Sequence, residues 1–272
     1  MEQLVISSTS LKTWKDCRKA YELGYERLLD PFYEKKVVED GIAFHEYMEA
    51  AAKATDESTI FVNPEDEMGR VAEAYLKHNP LPVLDILGAE KPLFTRMGEY
   101  KGFEVWLRCT FDLIYKSGEE HVFRDYKTFD KRPSPDLLDL DFQGRLYSAV
   151  GMKHFKTNRA HFEYEYVRRT PPNIPKDKAG NVWEPDECYF HYPLVISERE
   201  ATEILNETWQ ICQEIVDTKE NKRYYRQDKK GFMGCEGCFY KNLCLAEFQL
   251  GELDQQTIEM FAKPREPLKV IE

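Results

Sequence analysis

The chain has 272 residues, 42% hydrophobic and 13% aromatic, enough apolar material for a large folded core and too much for a disordered chain. Its net charge of −11 argues against a protein that coats nucleic acid with its whole surface, while leaving room for a local basic groove. No stretch reaches the roughly 18 uninterrupted apolar residues of a membrane helix. MEQLVISSTSLKTW has no basic region followed by an apolar run, so the expectation is a cytoplasmic protein (in the host cytoplasm if viral) with no membrane partner.

Ser7, Ser8 and Ser10 offer N-caps for a short helix through Leu11 to Ala20. Residues 39–54, EDGIAFHEYMEAAAKA, are good helix formers and set Ile42, His45 and Glu49 on roughly one face. A second helix is expected from Pro64 to Lys77, with proline in its first turn and HNP at its end. The period then changes. Segments 83–96, 102–116 and 120–128 are rich in β-branched and aromatic residues, and the last two, joined at KSGEE, read as an antiparallel hairpin.

Residues 136–156 return to helical spacing, with Leu138, Phe142, Leu146 and Val150 nearly in register, and a strand follows at 160–169. TPPNIPKDKAGN reads as an exposed, mobile loop. A strand at 187–196 leads to a long helix over 197–218, capped by Ser197 with Glu198 and Glu200 in its first turn. A short helix is expected after the last cysteines, and the tail KPREPLKVIE is expected to be loosely held. The order predicts one α/β domain over 1–250, with a mixed sheet centred on about 83–169 and a C-terminal extension at 251–272.

The stretch HVFRDYKTFD holds the first chemical signal. In a strand, Asp125 and Lys127 project to the same side, behind the apolar pair Val122 and Phe123. Asp112 precedes Asp125 by 13 residues (125 − 112), a separation that a hairpin can fold side by side. Two adjacent carboxylates repel unless a cation lies between them. A hard divalent ion such as Mg2+ or Mn2+ accepts these oxygens and keeps positions open for water and a phosphate. Lys127 would then help activate water or stabilise the charge that develops at the phosphate. An ordinary salt bridge from Asp125 to Lys127 is the alternative, and D-x-K alone does not decide.

Cys109, Cys188 and Cys212 are isolated and read as small buried hydrophobes. Cys235, Cys238 and Cys244 form a C-x2-C-x5-C run, which in an intracellular chain points to metal. The best candidate for a fourth ligand is Cys17. Residues 219–230, KENKRYYRQDKK, are basic and carry two tyrosines, a pattern suited either to a nucleic-acid strand or to a solvated helix end.

GIAFHEYME, GAEKPLF, CTFDLIY with VFRDYKT, and FQGRLYSAV, taken in order, resemble the PD-(D/E)xK nuclease superfamily. The likeness is greatest to its RecB-like branch, which includes CRISPR-associated and phage RecB-like exonucleases, and it covers about Ser7 to Cys244. The resemblance implies a restriction-endonuclease-like mixed sheet flanked by helices. It makes His45 a metal ligand, Glu90 the acidic residue of the first core motif, and Asp112 and Asp125 the central Mg2+ or Mn2+ ligands, joined by the Tyr126 carbonyl. Lys127 becomes the catalytic lysine. Gln143 and Tyr147 form a Q-x-x-x-Y motif that helps hold DNA, with Arg145, the 219–230 segment, Arg168 and Arg169 as further candidates for the backbone.

In one subset of the branch, one cysteine before the core and three after it bind a 4Fe–4S cluster, a layout that Cys17, Cys235, Cys238 and Cys244 match. Zn2+ is the alternative, since thiolates suit both. The implied activity is a metal-dependent DNA exonuclease acting on free ends in recombination, repair or phage DNA metabolism. A structure-specific or restriction-type endonuclease and a non-catalytic DNA-binding subunit are the alternatives. The chain has no P-loop, so any helicase or recombination motor that works with it is on another chain.

Overall fold

The computed structural model describes residues 2–32, 36–54, 66–81, 85–139, 141–226 and 235–270. Its strands are β1 (Glu2–Ser7), β2 (Leu29–Pro31), β3 (Asp85–Tyr100), β4 (Phe103–Ser117), β5 (Glu120–Phe129), β6 (Arg159–Arg168), β7 (Tyr189–Ser197) and β8 (Ala262–Pro264). The helices of the first half are α1 (Ser8–Asp16), α2 (Arg18–Tyr21), α3 (Lys36–Lys53) and α4 (Glu67–His78), with a π-helical turn at Glu22–Glu26. Then come α5 (Pro135–Leu138), α6 (Phe142–Phe155), α7 (Pro185–Cys188), α8 (Glu198–Asn221), α9 (Lys241–Leu250) and α10 (Gln255–Phe261). The chain divides into two units, Lys35–Leu93 with Cys109–Asn206, and Met1–Glu34 with Phe94–Arg108 and Glu207–Glu272.

The unit that holds Cys109–Asn206 is a mixed α/β layer structure, consistent with a restriction-endonuclease-like fold. The expected hairpin is present: β4 pairs antiparallel with β5 from Leu113↔Arg124 to Ser117↔Glu120. β5 then pairs in parallel with β6, a geometry that needs a crossover, and α6 supplies it. β6 pairs antiparallel with β7. Alternation gives the two faces different partners. Leu113, Tyr115, Val122 and Tyr126 pack under Phe44 and Met48 of α3 and Val71 and Tyr75 of α4. On the other face Phe111 meets Phe123 and Tyr147, at 5.2 and 4.8 Å between ring centroids. Full burial of each such ring is worth on the order of 1.5–3 kcal/mol.

Three expectations need correction in this unit. The helix of 136–156 is broken into α5 and α6, because Asp141 at the N-cap of α6 accepts a hydrogen bond from the Tyr164 hydroxyl and fixes the chain there. The loop after β6 is exposed but internally organised. Asp177 accepts from the Ala179 and Asn181 backbone, Pro175 bridges to Val182, and Arg168 stacks on Trp183 at 3.8 Å. Residue 187 begins no strand: Pro185–Cys188 is a helical turn held by a reciprocal cap between Glu184 and Glu187. Pro64, the expected start of α4, lies outside the described residues, and Asp66 serves as its cap through the Met68 N–H.

In the other unit, β1 pairs in parallel with Phe103–Arg108 of β4. A strand there was not expected, since EQLVIS runs directly into the serine caps. Ser7 and Ser10 close a capping box on α1, which ends early at Cys17, whose extended backbone (φ −164°, ψ 115°) breaks the expected 11–20 helix. The tail is held rather than loose: β8 pairs with β2, and Arg265 bonds to Asp30 at 3.0 Å and to the Leu28 carbonyl at 2.7 Å. Ala20, Leu23, Leu29, Tyr240, Leu243 and Ala262 make the local core.

Candidate active site

Asp112 sits where the β4–β5 ladder ends, and its Oδ2 accepts the Tyr126 backbone N–H at 2.7 Å. This bond ties one carboxylate to the strand that carries the other. Asp125 is 2% exposed, and its Oδ2 lies 2.6 Å from Lys127 Nζ. Gln143, in the first turn of α6, joins the pair. Its Nε2 donates to Asp125 Oδ1 at 2.8 Å, and its Oε1 accepts from Lys127 Nζ at 3.5 Å. An amide is the side chain that can give to a carboxylate and take from an ammonium at once.

His45 comes in from α3, with Nδ1 3.3 Å from Asp112 Oδ2 and 3.6 Å from Glu90 Oε1. Glu90 lies within β3 at φ 46°, a left-handed conformation that a non-glycine residue adopts at a cost of order 1–3 kcal/mol. His45, Glu90 and Asp112 each offer a ligand atom within 4.8 Å of the others. The sequence-predicted His45, Glu90, Asp112, Asp125, Lys127 and Gln143 thus meet within one unit.

The electrostatics follow from crowding. Burial pushes the Asp125 carboxyl up, Lys127 pulls it back, Asp112 pushes it up again, and it comes to about 6. Burial alone would lower Lys127, but Asp125 and Asp112 raise it above its ordinary value, so it is an ammonium at neutral pH. Burial would lower His45 too. The hydrogen bonds to Asp112 and Glu90 outweigh that and bring it to about 10.

Tyr147 is 6% exposed, its ring packed on Phe111 and Phe162. Arg145 is too close in sequence to Gln143 to share its side of α6. Together with the Ser197 N–H and hydroxyl, it holds the Glu200 carboxyl below its usual range. Arg169 pairs with Asp130, and Arg168 donates to the Asp130 and Glu187 carbonyls, so both organise loops. Within 219–226, Lys219 pairs with Glu26 at 3.0 Å, Arg226 with Glu247 at 3.4 Å, and Tyr224 packs edge-on against Trp14. Residues 227–230 of that basic stretch lie outside the described residues.

Sequence reasoning missed a second titratable group in the same unit, on the opposite face of the sheet. Arg124 bonds Glu163 at 2.6 Å and lies 3.7 Å from Glu165, while His191 Nδ1 lies 2.8 Å from Glu165. The alternation in HFEYEYV shows both glutamates on one side, but nothing in the sequence brings His191 to them. The side-chain hydrogen bond to Glu165 raises the His191 imidazole above its ordinary value.

In the other unit Cys17, Cys235, Cys238 and Cys244 line one cavity of about 250 Å³, with Arg226 and Phe248 on its wall. Among the described residues the cysteine sulfurs form no group of three within 4.8 Å. Arg226 Nε donates to Cys244 Sγ at 3.3 Å, a cationic donor placed on a thiol sulfur. Cys109, Cys188 and Cys212 are buried elsewhere, and burial raises all three thiols.

A strand-borne carboxylate–lysine pair thus lies beside an imidazole and two further carboxylates, and His45, Glu90 and Asp112 among them could hold a metal ion. The sequence profile of the PD-(D/E)XK nuclease superfamily matches residues 5–245, and the chain belongs to that superfamily. Among solved structures it is similar to "SSO0001", at 14% identity and a TM-score of 0.42, over 89% of this chain and 86% of that one. It is also similar to an alkaline exonuclease (LHK-Exo) from Laribacter hongkongensis, at 10% identity and a TM-score of 0.30, over 80% of this chain and 93% of that one. Comparison with curated proteins gives no significant match. Among the described residues no helix is long and apolar enough to cross a membrane.

Proposed function

We propose that the chain is a Mg2+- or Mn2+-dependent deoxyribonuclease of the RecB-like branch that hydrolyses phosphodiester bonds from DNA ends. The observation that carries this reading is the Asp125–Lys127–Gln143 bridge set beside His45, Glu90 and Asp112. Hard carboxylate oxygens with one imidazole suit such a cation. Asp112, Asp125, His45 and the Tyr126 carbonyl would hold it, with Glu90 at its edge. When bound, the ion polarises the phosphate and lowers the pKa of a water molecule.

The residues of the chain divide the remaining work. Lys127 is charged, so it acts as an electrostatic group rather than as a base, stabilising negative charge as it develops on the phosphate oxygens. Gln143 touches both members of the pair, donating to Asp125 and accepting from Lys127, and so orients the ammonium and the carboxylate relative to each other. Asp112 is prevented from turning away by the Tyr126 N–H.

The four cysteines are assigned to a 4Fe–4S cluster. What supports this reading is that all four line one cavity, with one cysteine before the core and three after it in a C-x2-C-x5-C run; Zn2+ is the alternative, since thiolates suit both. Arg226, whose Nε donates to Cys244 Sγ, also brings a positive charge to this cavity. Anaerobically purified protein should be brown and contain iron and sulfide in equal amounts; zinc instead would sink the cluster assignment.

The activity is tested on end-labelled linear and on circular DNA, with Mg2+, Mn2+ or EDTA, comparing wild type with Lys127→Ala. Metal-dependent loss of linear DNA alone, abolished in the variant, is expected. Cleavage of circles would replace the end-dependent reading with an endonuclease. No cleavage by cluster-loaded protein would leave a DNA-binding subunit.

A further inference from the structure

On the face of the sheet that carries Asp125 and Lys127, the register aligns Lys127 with Tyr166 of β6, and Tyr166 with Phe190 of β7. One row back stand Asp125, Tyr164 and Tyr192. Paired positions project to the same side, so each member of the catalytic pair heads a row of aromatic rings.

The two tyrosines of β6 differ in cover. Tyr164 is buried beneath the start of α6, where a Cβ on Gly144 would come within 2.8 Å of its hydroxyl. Tyr166 and Phe190 keep part of their surface in water. Their ring centroids are 5.8 Å apart with the planes inclined by 35°, and Tyr192 of the neighbouring row lies 6.2 Å from Phe190. The exposed Arg132, in the loop that leaves β5, lays its guanidinium 3.8 Å from the Phe190 centroid. An aromatic that served only to close the core would be covered as Tyr164 is.

We propose that Tyr166, Phe190 and Arg132 form a base-stacking subsite for unpaired nucleotides that flank the scissile phosphate. The inference rests on the nuclease reading above. Tyr166 is one strand spacing from Lys127 and Phe190 two, roughly 5 and 10 Å, so a strand whose phosphate lies at Lys127 has its neighbouring bases over these rings. Every base has a π-face, so the subsite is tolerant of sequence, and Arg132 adds a cation–π contact. A base inside a duplex has both faces covered by its neighbours. The subsite therefore selects for single-stranded or frayed DNA. It also gives an acidic chain a local point of attachment beside the Asp125–Lys127 pair.

The test is binding of fluorescein-labelled single-stranded DNA in EDTA, where nothing is cleaved, with normal oligonucleotides and with oligonucleotides abasic at consecutive positions. Stacking of one base is worth a factor of roughly 5 to 150. Wild type is expected to bind the abasic strand weaker by a factor in that range. Phe190→Leu and Arg132→Ala are expected to lose affinity for the normal strand and little for the abasic one, with Phe190→Trp restoring it. Arg132→Ala alters an exposed side chain, so it remains informative if Phe190→Leu fails to fold. Equal affinity of wild type for the two strands, equal losses on both by the variants, or no binding of single strands overturns the subsite. Base-dependent binding without metal-dependent cleavage would keep the subsite and overturn the nuclease. Cleavage without base dependence would do the reverse.

Discussion

Binding of the divalent ion is expected to release a proton, and the size of the effect follows from His45. Its Nδ1 faces Asp112 at 3.3 Å and Glu90 at 3.6 Å. Burial lowers its pKa, the two carboxylates raise it more, and the balance near 10 leaves the imidazole protonated in the cation-free protein at neutral pH. A metal needs the neutral ring, so the cation must displace that proton. Between about pH 7 and 9 affinity should rise tenfold per unit, about 100-fold in all, or about 2.7 kcal/mol. Below about pH 6 Asp125 carries a proton as well, and the slope steepens toward two. Titration calorimetry with Mn2+ at pH 8, in two buffers of different ionisation enthalpy, counts the protons. One per cation is expected for wild type, and none for His45→Asn at its weaker affinity. A pH-independent affinity in wild type, or no proton released, would remove His45 from the coordination shell.

The same shift acts on stability in the opposite direction when the ion is absent. A raised folded pKa stabilises fully below the unfolded value of 6.5 and is lost as pH rises toward 10, so in EDTA the melting temperature should drop from pH 7 to 9 more steeply in wild type than in His45→Asn. Gly151→Ala drives a methyl into the ring of the fully buried Phe123; a loss of about 1–3 kcal/mol is expected in thermal melts, and an unchanged melting temperature would show that α6 shifts freely over the sheet. Gly24→Ala overlaps the Tyr240 hydroxyl. It should lower stability and, on the proposed cluster assignment, retained iron, because Tyr240 carries the chain between Cys238 and Cys244; full iron content in the variant would separate that contact from the proposed cluster.

What the sequence disclosed and what it withheld divide by the range of the interaction. Asp125 and Lys127 were legible because the period of a strand alone puts them on one side, and Asp112 because a short turn at Gly118 fixes the hairpin that returns it. His45 and Glu90 needed the resemblance, since no local rule brings a helix residue and a left-handed strand residue together. The break between α5 and α6 depends on the hydroxyl of Tyr164, a residue on a later strand, accepted by Asp141. The tail was misjudged for the same reason: β8 has no alternation of its own, and only β2, more than 200 residues earlier, makes it a strand. Tyr147 is a different case. The Q-x-x-x-Y pattern places it on the helix correctly, but side-chain volume decides where it points, and the space between Phe111 and Phe162 takes the ring into the core. Gln143, one turn earlier on α6, reaches the Asp125–Lys127 pair instead. The motif thus combines two separate duties, one electrostatic at Gln143 and one of packing at Tyr147. Gln143→Ala should therefore lower the turnover number with little loss of stability, while Tyr147→Ala should unfold the helix from the sheet, at a cost of about 3–5 kcal/mol.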